Sequence, residues 1–227
     1  MVHQGMLHFE WQEYVLAAVA FGFCWLIVVL RFRLPRLSGR ADDVQAVQSM
    51  HTRLTPRVGG IAIFAALGLS VIFAPVAISG PYANFVLATS LLFIVALAED
   101  LGFHISPRMR LLAAMGASLL AIWLLGVWLP RTGIPGLDLL VDHWAIGVPL
   151  TLLVTAGIAN GFNLIDGVNG LASLTAIVAA MAMNQIAAMA GDVIMVHLTK
   201  MFAAGIFGFL LGLIHNSGLT FQAQFPQ

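Results

Sequence analysis

An all-α, polytopic transmembrane helix bundle is the fold class that this 227-residue sequence predicts. Composition is the first reason: 60% of the residues are hydrophobic and 9% charged, against about 45–50% and about 25% in a soluble domain. Mean hydropathy is +0.97. The second reason is segmentation into about seven apolar runs, each near the roughly 20 residues that cross a bilayer. The third is an arginine distribution that favours alternate connectors. The same composition excludes disorder. Residues 1–227 read as a single integral membrane domain.

The expected spans are Tyr14–Leu30, Val58–Ile78, Tyr82–Ala98, Met109–Trp128, His143–Ala159, Gly170–Ala190 and Ile194–Ile214. Ser79-Gly-Pro81 and Gly191-Asp192 are so short that each predicts a tight helical hairpin. No basic residue precedes the first span, and Arg31-Phe-Arg33 follows it, which predicts an uncleaved anchor rather than a signal peptide. The connector Pro130–His143 is expected to carry a short hairpin or amphipathic turn. Cys24, the single cysteine, rules out a disulfide framework and a cysteine-based metal site. Gly208-Phe-Leu-Leu-Gly212 has small-xxx-small spacing and predicts close helix packing. Lys200, early in the last span, is expected to extend its ammonium toward the boundary.

Arginines sort the connectors into two sides. Residues 31–57 hold Arg31, Arg33, Arg36, Arg40, Arg53 and Arg57, and Arg108 and Arg110 follow the third span, whereas the opposite connectors hold only Arg131. The positive-inside rule therefore predicts that the basic loop 31–57 and the loops 99–110 and 160–169 are cytoplasmic. The N-terminus is then outside and the C-terminal tail cytoplasmic. Trp11, Trp128 and Trp144 fall at the opposite boundary, where interfacial aromatics belong.

This topology gathers the polar residues on one face. Glu99, Asp100 and Asp166 terminate separate spans there, together with His51, Arg57 and Arg110. Carboxylates arranged in this way suit a hard cation such as Mg²⁺, which takes oxygen ligands and keeps phosphate oxygens in its shell. Arginines beside them suit phosphates, which they grip bidentately. Asn160, Asn163 and Asn169 surround Asp166, and the glycines at 161, 167 and 170 allow backbone to approach a ligand. A hydrated inter-helix turn, and local ion pairs between Glu99-Asp100 and Arg108 or Arg110, account equally well for the same residues. Arg31, Arg33, Arg36 and Arg40 read as topology signals and anionic-lipid contacts.

Three motifs together resemble the polyprenyl-phosphate N-acetylhexosamine-1-phosphate transferase family, which includes the phospho-N-acetylmuramoyl-pentapeptide translocase. His51-Thr-Arg-Leu-Thr-Pro-Arg57-Val-Gly-Gly60 resembles its first loop motif, with Leu54 where proline is common. Ala98-Glu99-Asp100-Leu-Gly-Phe-His-Ile-Ser-Pro-Arg-Met-Arg110-Leu resembles its Asp-Asp motif, with glutamate replacing the first aspartate. Asn160-Gly-Phe-Asn163-Leu-Ile-Asp166-Gly-Val-Asn169-Gly-Leu resembles its nucleotide-site motif and is the most specific of the three. The resemblance covers residues from about 30 to 215.

That resemblance implies transfer of a sugar-1-phosphate from a UDP-N-acetylhexosamine to a polyprenyl (undecaprenyl) phosphate, with release of UMP. This would be the first step of cell-envelope polysaccharide assembly at a bacterial inner membrane, with the active face cytoplasmic. It implies Mg²⁺, or alternatively Mn²⁺, as cofactor, with Asp100, Glu99 and Asp166 as catalytic and metal residues. Asn163, Asp166, Asn169 and Asn160 would bind the nucleotide, and Arg57, His51 and Arg110 the phosphates. A homodimer would be in keeping with it.

After Gly208-Phe-Leu-Leu the family continues into a segment with a further metal-binding aspartate and a basic, histidine-containing loop. Here the chain reads Gly-Leu-Ile-His215-Asn-Ser-Gly-Leu-Thr-Phe-Gln-Ala-Gln-Phe-Pro-Gln227, with no carboxylate and no Lys or Arg. The expectation is a truncated end. The alternative function is accordingly a membrane protein that binds UDP-sugar or polyprenyl phosphate without turnover. A transporter ranks last, because the carboxylates cluster at span ends rather than near the bilayer midplane. Nucleic-acid binding is not expected: the basic residues trace topology rather than a stripe.

Overall fold

In the computed structural model, residues 10–30, 59–103, 105–165 and 170–217 are described. Among them every regular element is helical: α1 Trp11–Leu30, α2 Gly60–Phe73, α3 Val76–Asp100, α4 Pro107–Leu125, α5 Leu137–Val141, α6 Trp144–Ile165, α7 Leu171–Ala190 and α8 Val193–Ser217. Six of these, α1, α3, α4, α6, α7 and α8, are long and apolar enough to cross a membrane. The all-helical, multi-span class expected from composition therefore holds.

The second expected span departs from expectation. α2 is only 14 residues long, and the chain breaks at Ala74-Pro75, not at Ser79-Gly-Pro81. Pro75 disfavours helical backbone at Ala74, and its φ of −51° and ψ of 141° make it the N-cap of α3. α3 then runs unbroken through Pro81. Pro81 removes only the hydrogen bond to the Ala77 carbonyl, near the start of the helix, a loss that apolar spans tolerate. Glu13, expected ahead of the first span, instead lies in the first turn of α1 and is 3% exposed.

The chain forms two compact units. In the first, which holds α1, α2 as far as Ser70, α7 and α8, the central element is α8, with α1 and α7 packed on it. Leu16, Ala20, Cys24 and Ile27 form the buried stripe of α1 at helical spacing. Lipid tails are as apolar as leucine, so shape complementarity between small residues drives such contacts. The Gly208-xxx-Gly212 spacing serves this purpose: a Cβ at Gly208 would fall on the Ala17 carbonyl, and one at Gly212 would lie 2.7 Å from Cys24 Cβ. α7 and α8 make the expected hairpin at Gly191-Asp192. Asp192 Oδ1 accepts from Met195 N–H (3.0 Å) as the α8 N-cap. Asn184 Nδ2 ties the hairpin by donating to the Val196 carbonyl and to Thr199 Oγ1, both at 2.9 Å.

The second unit holds α3, α4, α5 and α6. α3 packs on α4, and α4 on α6. Asn84, in the first half of α3, donates to the Leu124 carbonyl at the end of α4 (3.4 Å), so these helices are antiparallel. At that same end, Leu129 N–H donates to Thr151 Oγ1 (2.9 Å) and Trp128 Nε1 to the Val141 carbonyl (3.2 Å). The end of α4 is thereby fixed to the start of α6, and these two packed helices are also antiparallel.

The connector between α4 and α6 is closed by Asp138 in α5. Its Oδ1 accepts from Thr132 N–H and Thr132 Oγ1–H, both at 2.6 Å, and from Gly133 N–H at 3.1 Å. These bonds, with the Thr132 hydroxyl the largest, hold the carboxyl below the usual carboxylate range, and the Arg131 guanidinium adds to them. Because the folded value is the lower one, this stabilisation is complete above the ordinary aspartate value of about 4 and is lost as pH falls through the depressed value. Hydrogen exchange at Thr132 and Gly133, corrected for intrinsic rates, should stay slow at neutral pH and quicken under stronger acid. Asp138→Ala should quicken it at neutral pH. Slow exchange in that variant would mean that helix packing alone closes the connector.

Candidate active site

Glu99 and Asp100 are the last two residues of α3, and the turn that follows is tightly specified. Phe103 N–H donates to the Ala98 carbonyl and Gly102 N–H to the Glu99 carbonyl, both at 3.0 Å. Gly102 has φ +106°, a conformation that side-chain-bearing residues rarely adopt. Ser106 then caps α4, its Oγ accepting from Met109 N–H at 3.3 Å, with Pro107 in the first helical turn. The Gly102 turn and the Ser-Pro start return the chain immediately on itself. They bring Arg108 and Arg110, in the first turn of α4, back beside the end of α3.

Across this turn, Arg110 Nη1 donates to Glu99 Oε1 at 2.9 Å. The Arg110 side chain is 31% exposed and that of Glu99 25%, so the pair sits at the mouth of the hairpin rather than in a core. Arg108 is exposed and Asp100 half-buried.

α6 reaches the same end. It was expected to stop near Ala159 but continues to Ile165, so Asn160 and Asn163 lie on its last two turns. Three residues apart, they share a helix face, and both are exposed. α3 ends here, α4 begins here and α6 ends here, because each is antiparallel to the helix it packs against. The topology thus brings together Glu99, Asp100, Arg110, Asn160 and Asn163 at one end of one helical unit. His51, Arg57, Asp166 and Asn169 lie outside the described residues.

Among the described residues, no group of three His, Cys, Asp or Glu side chains forms a ready metal cage. The carboxylate and amide oxygens gathered at this end are donors of the kind that Mg²⁺ accepts. Mg²⁺ retains waters and phosphate oxygens and takes only one or two carboxylates from the protein, and Mn²⁺ accepts the same donors. Asp100, a carboxylate at the end of α3, has the donor chemistry that such a cation takes.

The sequence model of glycosyl transferase family 4 matches residues 82–217, more than half of the chain. The chain belongs to this family. The matched stretch takes in all five residues that the topology gathers. A curated relative from Bacillus subtilis (strain 168), a probable undecaprenyl-phosphate N-acetylglucosaminyl 1-phosphate transferase, is 24% identical over 175 residues, 77% of this chain and 48% of the relative. The chain thus spans about half the length of that relative. No solved structure matches it significantly. Membership of family 4 makes this a transferase-family protein with several membrane-spanning helices.

The position of Glu99, Asp100 and Arg110 near helix ends was legible from the apolar runs, whereas Asn160 and Asn163 were expected in a loop. The direct Glu99–Arg110 pairing was open in the sequence, where local ion pairing and a ligand site competed. The Glu-x₁₀-Arg spacing across a Gly and Ser-Pro turn is the signal that could have found it.

Proposed function

We propose that this chain carries a site for transferring a hexosamine-1-phosphate, N-acetylglucosamine-1-phosphate foremost, from a UDP-sugar to undecaprenyl phosphate. The observation that carries this reading is that helix topology brings Asp100, Arg110, Asn160 and Asn163 to one end of a membrane-spanning helical unit, in a chain of this family. The name of the Bacillus relative agrees with it. A lipid phosphate is confined to the membrane boundary and a nucleotide sugar arrives from water, so the reaction needs polar groups at a helix end.

In the reaction, an oxygen of the lipid phosphate attacks the phosphorus that bears the sugar. A new P–O bond forms and the bond to the bridging oxygen of UMP breaks. The products are a lipid diphosphate sugar and UMP, and no oxidant or reductant is required. Both reactants are anions, so repulsion is the barrier that the protein must lower. Arg110 screens the phosphates with a fixed guanidinium fork. Asn163 and Asn160 offer amide donors and acceptors to the uracil. Asp100 and Asp166 would hold Mg²⁺, which when bound neutralises phosphate charge. The same reading places this end on the cytoplasmic face of a bacterial membrane, at the start of a cell-envelope polysaccharide.

The purified 227-residue chain, given UDP-N-acetylglucosamine and undecaprenyl phosphate in detergent, is expected to release UMP only when lipid and Mg²⁺ are both present. UMP binding without release would support a binding protein lacking turnover. Neither binding nor release would overturn the reading.

A further inference from the structure

The Glu99–Arg110 pair bears on the site in a way that neither residue does alone. The pair is joined by a single N–H···O bond, Nη1 to Oε1 at 2.9 Å, whereas a guanidinium and a carboxylate can make two in parallel. Among the described residues this contact uses one of the five Arg110 donors. Both side chains are partly exposed, and ion pairs of that kind are weak and exchangeable. A phosphate group offers more negative charge and three oxygens, so it outcompetes a carboxylate for the same fork.

Position 99 is also oriented differently from position 100. Successive helix residues point about 100° apart, so a carboxylate at 99 that faces α4 leaves its neighbour at 100 facing elsewhere. Glutamate at 99 has one more methylene than aspartate, which extends its reach toward Arg110. We infer that Glu99 is an internal stand-in for a phosphate: it holds Arg110 in the empty protein and gives it up when a substrate phosphate arrives, and it is not a metal ligand. Glu99 is thus a positioning residue acting through Arg110. It keeps the guanidinium extended across the turn and limits how tightly the site retains phosphate once the reaction is over. This rests on reading this end of the unit as a phosphate site.

The test measures binding of UMP and of undecaprenyl phosphate, separately and without metal, to the wild type, Glu99→Gln, Arg110→Gln and the double variant, with Mn²⁺ titrated alone by electron paramagnetic resonance. Glu99→Gln should tighten whichever phosphate Arg110 takes by about three- to tenfold and leave Mn²⁺ affinity unchanged. Arg110→Gln should weaken the same phosphate, and the double variant should match Arg110→Gln, since the gain acts through the guanidinium. Glu99→Asp, which keeps the charge on a shorter arm, should give a smaller gain and serves if the glutamine variant fails to fold. Whether UMP or the lipid responds identifies the phosphate that Arg110 receives. Three results would each overturn the inference: weaker Mn²⁺ binding in Glu99→Gln, unchanged phosphate affinity, or a gain that survives in the double variant. Binding of neither phosphate by the wild type would instead remove the phosphate-site reading itself, and this inference with it.

Discussion

Asp100→Asn is expected to lower UMP release by at least about 100-fold while leaving membrane insertion and yield close to wild type. The carboxylate ends α3 at a half-buried position, and the turn beyond it is held by backbone bonds and by Gly102. Asparagine has nearly the same shape but loses the charge that a hard cation or a phosphate-facing site requires. Asp166→Asn is expected to behave alike, since it removes the other carboxylate assigned to the cation. The comparison runs through initial rates over a range of Mg²⁺, with thermal unfolding of each variant in the same detergent. Variants that misfold would make these carboxylates structural. Variants that release UMP at the wild-type rate would exclude both from the chemistry.

Gly208→Ala is expected to be the most damaging small substitution in the first unit. The added Cβ would collide with the Ala17 carbonyl, and backbone cannot move aside as the tip of a flexible side chain can. Overpacking of this kind costs about 1–3 kcal/mol, and at a backbone contact the upper part of that range is expected. α1 must shift along its contact with α8, which also carries Cys24 against Gly212. Two measurements follow: a lower unfolding temperature, and faster labelling of the normally buried Cys24 by a maleimide. Gly22→Ala, where a Cβ would meet nothing within 4 Å, is the matched control and should change neither. Unchanged labelling in Gly208→Ala would mean that α1 and α8 do not depend on this contact.

Much of the candidate site could be read without coordinates. Glu99 and Asp100 stand out in the sequence as carboxylates suited to a hard cation, Arg110 as a phosphate-gripping guanidinium, and Asn160 and Asn163 as polar groups crowded between apolar runs. The structure gathers them at one end of the second unit. The break in the chain was misplaced because Ser79-Gly-Pro81 contains stronger turn formers than Ala74-Pro75. In an apolar span, however, a proline near a helix start costs one hydrogen bond, while the residue before Pro75 is driven out of the helix. The length of α6 was underestimated because Asn160 and Asn163 look like loop residues, although exposed asparagines ride easily on a helix end.

Sequence alone determined the class: helices, several of them membrane-spanning, with polar chemistry at their ends and the motifs of one transferase family. Apolar run length and motif order are one-dimensional properties, so they survive without a fold. Only the tertiary structure decided which helices meet, that Gly208 lies on Ala17, and that Glu99 rather than Asp100 holds Arg110. Hydropathy cannot encode such choices in a membrane protein, because a lipid tail and a leucine face are equally apolar. Partner selection depends instead on helix phase, on where small residues let backbones approach, and on which way each side chain points at the end of its helix.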